Sequence, residues 1–232
     1  MDKAEFDQIA DEYLALHSKN IKASGESPEF FARYKIEDVR HETAKAGIKA
    51  EAILDFGSGI GNSLPHFNDF FPSARITCAD VSRRSLDISR SRYRNIPACY
   101  AEIDEFKLPF EAGSFDLCFS ACVFHHISHA EHEHWLAELR RVTRRNGMLV
   151  IFEHNPVNPL TVSAVRNCPF DEHAVLMHAS ALEQRIAKAG WKNAEAVYRM
   201  FFPSFLSFAR PLEKFMRKLP LGAQYFIVAR NI

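Results

Sequence analysis

The sequence predicts an α/β fold, a three-layer, doubly wound sheet, on three observations. Short apolar runs with strand character, such as AILDF, RITCAD, FDLCFSACVF and MLVIFE, recur along the chain. Segments of helical period separate them, and such alternation builds a mostly parallel sheet covered on both faces. A cluster of glycines at 57, 59 and 61 follows the first run, where a strand must turn sharply.

The elements follow in order. Residues 2 to 17 read as a helix, with Phe6, Ile9, Tyr13 and Leu14 at helical spacing. After the turn KASGESPEF, Ser27 caps a second helix with Pro28 at its first position, over about 28–46. These two helices form an N-terminal cap, residues 1–48, ahead of the main unit, residues 49–232. In that unit EAILDF is a strand, followed by a helix over about 60–70. RITCAD is a strand, SRRSLDISRSRYR a helix, PACYAEI a weak strand and SFDLCFSACVF a strong one. A helix over about 130–144 and the strand GMLVIFE come next. TVSAVRNCPFDEHAVL reads as a long connection and SALEQRIAKAGW as a helix ending at Gly190. AEAVYRMFF and AQYFIVARN read as two late strands. The segment between them carries Phe205, Phe208, Leu212, Phe215 and Leu219 at helical spacing, with Arg210, Lys214, Arg217 and Lys218 interspersed. A basic amphipathic helix of this kind fits either a membrane surface or, as the more ordinary expectation, a helix whose apolar side is core.

The glycine loop narrows the ligand. A dinucleotide fingerprint needs glycine at 62, where Asn62 stands, and a phosphate-binding loop needs a terminal lysine that is absent. The pattern D-x-G-x-G-x-G instead puts Asp55 two residues ahead of Gly57. A carboxylate there repels a pyrophosphate but attracts an ammonium group. Asp80 closes the second strand, the place where an acid holds ribose hydroxyls. Asp104 follows the third strand, within reach of an adenine amine. An amino-acid end, a ribose and an adenine in that order describe S-adenosylmethionine.

LDFGSGIG, CADVS, IDEFKLPFEAGSFDLCFS and HHI, followed by ELRRV and GMLVIFEHNP, together resemble the class I SAM-dependent methyltransferases over about residues 50–155. The resemblance implies a Rossmann-like, seven-stranded sheet with its last strand antiparallel. The turn before the fifth strand, usually K-P-G-G in that family, is RRNGM here, and Asn146-Gly147 still suits a tight turn. The implied cofactor residues are Asp55, Gly57, Ser58, Gly59, Gly61, Asn62, Asp80, Val81, Ile103, Asp104 and Ser120. Tyr13, Tyr34 and Lys35 would close over the sulfonium, where an aromatic face gains cation–π stabilisation. The flanking stretches SGESPEFFARYK, FEHNPVNPLT, CPFDEHAVLM and RPLEKF resemble bacterial methyltransferases of cell-surface polysaccharide and glycolipid gene clusters. That implies a small-molecule, sugar or glycolipid hydroxyl as acceptor. Rival readings are C-methylation of a quinone-like ring, a SAM-binding protein without catalysis, and a nicotinamide-dependent oxidoreductase, the last opposed by Asn62 and Asp55.

A hydroxyl acceptor needs a base. His125 and His126 follow the fourth strand, and Glu153-His154-Asn155 follows the fifth; ligands in such sheets lie at these carboxyl ends. His154 is the leading base candidate, with His126 and His125 behind it, while Glu153 and Asn155 could equally only cap the loop. Cys118, Cys122, His125, His126, His129, His132 and His134 crowd one span. The two cysteines are expected to point inward and the last three histidines to lie on a solvated helix, so no metal site is expected. The connection 157–180 is expected to help build the acceptor pocket.

Composition bounds the rest. The 232 residues, 47% hydrophobic and 25% charged, suit one globular unit with a core. Lysine and arginine number 29, as do aspartate and glutamate, and this balance argues against a nucleic-acid partner. No run is long enough to span a membrane, and five cysteines in mostly apolar runs fit buried, reduced thiols in a cytoplasmic chain. Oligomeric state is not legible.

Overall fold

A computed structural model describes residues 25–103, 106–168, 171 and 173–232. The expected helix over 2–17, with Tyr13, lies outside the described residues, as does Asp104. Chain order gives α1 (Pro28–Lys45), β1 (Ala52–Phe56), α2 (Leu64–Phe70), β2 (Arg75–Asp80), α3 (Arg83–Arg92), β3 (Ala98–Glu102), β4 (Phe115–Ala121), α4 (His132–Val142) and β5 (Thr143–His154). Then come α5 (Pro159–Arg166), α6 (Ala179–Lys188), β6 (Lys192–Arg199), a 3-10 segment (Ser204–Leu212), α7 (Glu213–Met216) and β7 (Gln224–Arg230).

The strands form one seven-stranded sheet in the order β3-β2-β1-β4-β5-β7-β6. β1 to β5 pair in parallel, and β7 runs antiparallel between β5 and β6. Two apolar layers result, because alternate side chains of each strand face opposite ways. Leu54, Cys118, Leu149 and Ile227 meet Trp135 and Leu139 of α4 and Leu182 and Ile186 of α6. Ile53, Phe119, Val150 and Phe226 meet Ile36 and Val39 of α1, Phe67 of α2 and Leu86 of α3.

Most boundaries follow local chemistry. Ser27 caps α1 by accepting from the Phe30 N–H, with Pro28 at the first turn, as the sequence predicts. Two helices differ from expectation. The helix expected from residue 60 starts at Leu64, because Gly59 and Gly61 take φ of 51° and 80°, left-handed conformations no right-handed helix accepts. The connection after β5 contains α5, whose signal is Asn158-Pro159. The Asn158 side chain accepts from the Thr161 N–H at 3.1 Å, and Pro159 takes the first turn. Asn146, at φ 64°, turns the chain where residues 143 and 148 straddle a register shift between β4 and β5.

The largest correction concerns the segment between β6 and β7. It is not one helix with an apolar side in the core. It breaks at Leu206, turns through Pro211 and ends in the single turn of α7, and its phenylalanines point outward. The thiols also divide. All five are free; Cys78, Cys118 and Cys168 are buried, but Cys99 is exposed and Cys122 half-buried.

Candidate cofactor and acceptor site

The carboxyl ends of β1, β2, β4 and β5 converge on one edge. Asp55, second to last in β1, is buried, and its Oδ2 has no hydrogen-bond partner. Burial pushes its carboxyl up to about 8, Asp80 adds to the rise, and Lys35 opposes it. A buried unpartnered carboxylate oxygen is costly, and a cationic ligand group beside it would relieve that cost.

The glycine loop is tied to β2 from both sides. The N–H groups of Gly57 and Ser58 donate to the Ala79 carbonyl at 2.8 and 3.1 Å. Asp80 accepts from the Gly59 N–H at 2.7 Å and, through its other oxygen, from the Ser82 N–H at 2.9 Å. Asp80 thus sits between the glycine loop and the start of α3, where ribose hydroxyls are expected. Val81 and Ile103 flank it, the latter through its N–H bond to the Asp80 carbonyl at 2.8 Å. Ser120, at the end of β4, is buried with no partner for its hydroxyl. Asn62 turns away: its side-chain carbonyl accepts from Arg92 at 3.2 Å, bracing the loop against α3.

The glycines have separable roles. A Cβ at Gly57, with φ 72°, would lie 2.4 Å from Val123 Cγ2, whereas one at Gly59 would meet nothing within 4 Å. Gly57→Ala is expected to cost about 2 kcal/mol or more through clash and strain. Gly59→Ala should cost about 1 kcal/mol through backbone strain alone. Because Gly59 borders open space, its variant should fold and still lose ligand affinity, as thermal melts beside calorimetric titrations would report.

Around the histidines the structure builds a buried network. Glu153 Oε1 accepts from the N–H groups of Val123 and Phe124 at 3.1 and 2.8 Å, and its Oε2 lies 2.5 Å from His125 Nδ1. His125 Nε2 faces Asp171 at 3.5 Å, and His126 Nε2 faces the same oxygen at 3.3 Å. Burial opposes charge on His125, but Glu153 and Asp171 outweigh it and hold the imidazole well above its ordinary range. Burial likewise opposes charge on Glu153, and His125 with the backbone donors holds it below the usual carboxylate range. Both His125 nitrogens are therefore engaged inside the fold. With both nitrogens so held, His125 braces the turn after β4. Asn155 also proves structural, its amide donating to the Pro220 and Gly222 carbonyls at 3.1 and 2.7 Å.

Donor atoms of His125, His126 and Asp171 lie within 4.8 Å of one another, joined by these contacts. The other crowded residues serve packing. Cys118 Sγ faces Thr143 Oγ1 at 3.0 Å. His132, expected on a solvated face, is buried, with Nε2 at 2.9 and 3.0 Å from the Phe124 and Ile127 carbonyls. His134 meets the Phe106 carbonyl.

Cys122 is the site residue the sequence reading missed. It does not point inward with the apolar set. It follows β4 at φ 59°, its N–H donates to the Phe152 carbonyl at 2.8 Å, and its Sγ lies 3.5 Å from Lys35 Nζ. Burial raises its thiol, but Lys35 and a hydrogen bond with His154 outweigh burial and bring it down to about 7. His154 is shifted oppositely: burial lowers it, and Cys122 raises it above its ordinary range. Alkylation of Cys122 by iodoacetamide, followed by peptide mass spectrometry, should be half-maximal near pH 7, and Lys35→Met should shift that midpoint upward. Tyr34 is buried: its hydroxyl donates to Gln224, its ring packs edge-on to Phe152, and the Arg199 guanidinium lies 5.9 Å from its centroid.

The sheet order and this edge define the fold of the class I methyltransferases, enzymes that transfer methyl groups from S-adenosylmethionine. Residues 54–151 match the family model described as a methyltransferase domain. The chain is 33% identical over 106 residues to a demethylmenaquinone methyltransferase of Thermus thermophilus, covering 45% of this chain and 47% of that protein. It is 32% identical over 103 residues to a malonyl-[acyl-carrier protein] O-methyltransferase of Geobacter sulfurreducens, covering 44% and 38%. The chain thus spans less than half the length of these curated relatives. A solved SAM-dependent methyltransferase of Thermotoga maritima superposes with a TM-score of 0.65 at 15% identity, covering 99% of each chain.

Proposed function

We propose that this protein is a methyltransferase that takes its methyl group from S-adenosylmethionine and delivers it to a small acceptor at the carboxyl edge of the sheet. The observation that carries the reading is the buried, unpartnered Asp55 oxygen behind a glycine loop that Asp80 ties to β2. When bound, S-adenosylmethionine supplies an electrophilic methyl group on a sulfonium. Asp55 binds the ammonium of its amino-acid end, the bare face at Gly59 admits close backbone approach, and Asp80 holds the ribose. Val81 and Ile103 border the adenine.

His154 stands at the end of β5 beside Cys122, and it takes the acceptor's proton once neutral. Its raised pKa implies a rate that climbs with pH over a higher range than an ordinary imidazole would give. The preferred acceptor is a hydroxyl on a small molecule, sugar or glycolipid. A second reading, C-methylation of a quinone-like ring, draws support from the menaquinone-type relatives, and removing a ring hydroxyl proton would use the same base. Titration calorimetry with S-adenosylhomocysteine and with NAD, on wild type and Asp80→Ala, tests the cofactor. Binding of the first ligand alone, weakened by the substitution, is expected; NAD binding would refute it. A radiolabelled-methyl screen of hydroxylated sugars, glycolipids and hydroxyquinones, with His154→Ala as control, then separates the acceptors.

A further inference from the structure

The segment between β6 and β7 is amphipathic and turned inside out. Its charged side faces the protein. Arg210 pairs with Glu26, Arg217 Nη2 lies 2.9 Å from Glu42, and buried Glu213 lies 3.6 Å from Arg199 while accepting from the Phe201 N–H at 3.0 Å. Its apolar side faces out: Phe205, Phe208 and Phe215 are 74%, 80% and 77% exposed, and Leu212, Leu219 and Leu221 are exposed beside them. Large apolar side chains grouped on one surface mark an interaction site, whereas single ones need no account.

Charge identifies the occupant. From Phe201 to Leu221 the acid is Glu213, buried and paired, against the bases Arg210, Lys214, Arg217 and Lys218. Lys214 and Lys218 are exposed among the phenylalanines, with Lys214 Nζ 4.8 Å from the Phe215 ring centroid. Aromatic side chains interleaved with lysines match an interface whose acyl layer is apolar and whose headgroups are anionic.

Topology roots this rim at the site. β6 ends and β7 begins at the edge where β5 delivers His154, so residues 200–223 leave and return at that edge, while Lys214, Phe215 and Lys218 reach back along β6 to line a pocket with Glu195, Met148 and Arg230. Asn155, next to His154, holds the Pro220 and Gly222 carbonyls, and the Asn158 amide donates to the Leu221 carbonyl at 2.9 Å, setting exposed Leu160 of α5 alongside.

We propose that this rim docks the protein on an anionic membrane surface and turns the acceptor site toward it, so that the acceptor is carried on a lipid. The docking stands on the surface alone; the lipid-borne acceptor rests on the methyl-transfer reading. The test is flotation with phosphatidylcholine vesicles, with and without about 30% phosphatidylglycerol. The variants are Phe205→Ser/Phe208→Ser/Phe215→Ser and Lys214→Glu/Lys218→Glu. Wild type should float with anionic vesicles and far less with neutral ones, and each variant should bind at least about tenfold more weakly. Melting temperature and S-adenosylhomocysteine affinity should be unchanged, so failure to dock and failure of the cofactor reading give different results. Three outcomes overturn the proposal: no flotation of wild type, flotation insensitive to both variants, or a dimer in sedimentation that the serine variant dissociates while vesicles bind neither protein.

Discussion

Asp55→Asn is expected to make the ligand-free protein more stable and to weaken binding of S-adenosyl ligands by at least about tenfold. Asp55 is buried beside Asp80, with one oxygen unpartnered and its carboxyl pushed up to about 8 by burial first and by Asp80 second. The folded protein tolerates the protonated form. That tolerance is intact below the ordinary value of 3.8 and is lost as pH rises through about 8, because the folded state binds the proton that the unfolded chain has released. The amide variant escapes this loss. At pH 8 the gain should reach about 2 kcal/mol, a rise in Tm of roughly 5 °C, and it should shrink toward pH 5. Thermal melts across pH 5–9, paired with titrations, measure both effects. A residue kept only for packing would not show greater stability and weaker binding together. A variant that melts lower at pH 8, or binds as wild type does, contradicts the role given to Asp55.

Glu153→Ala should act in the opposite sense, costing about 3–5 kcal/mol and lowering Tm by roughly 10 °C. The side chain satisfies the N–H groups of Val123 and Phe124 and pairs with buried His125; truncation strands all three. Glu153→Gln keeps the shape and an acceptor for the two N–H groups, and should cost about 1–2 kcal/mol. The pH signature follows from the shifts. Glu153, held low, contributes stability above its ordinary value of 4.5 that is lost as pH falls through its lower folded value. His125, held high, contributes stability below its ordinary 6.5 that is lost as pH rises through its higher folded value. Wild type should therefore keep the pair's full contribution between about pH 4.5 and 6.5 and lose it on either side, and the alanine variant should lack most of that contribution. Equal melting of the alanine and glutamine variants would refute the anchoring role.

Local chemistry made much of this legible. The glycines, Asp55 and Asp80 announce the edge proposed for the cofactor because a turn at positive φ and an acid at a strand end are one-dimensional signals. The alternation of apolar runs and helices fixed the parallel part of the sheet in the same way. Cys122 was not legible, because its neighbours come from elsewhere: Lys35 from α1 and His154 from β5, aligned only when Ala121 pairs with Phe152. Asp171 reaches His125 and His126 because the chain doubles back, with the Val175 N–H on the His125 carbonyl at 2.9 Å. The segment from Phe205 to Leu219 shows how far periodicity carries. Spacing reveals two faces; Glu26 and Glu42, distant in sequence, together with Arg199 at the end of β6, decide which one turns inward.

The central claim is that a cationic ligand end displaces the proton of Asp55. Titration calorimetry with S-adenosylhomocysteine at pH 7, in phosphate and in Tris, counts the protons released on binding through the difference in buffer ionisation enthalpy. The account predicts release of about one proton in wild type and none in any residual binding by Asp55→Asn. Binding without proton release, or release that persists in the variant, would contradict it.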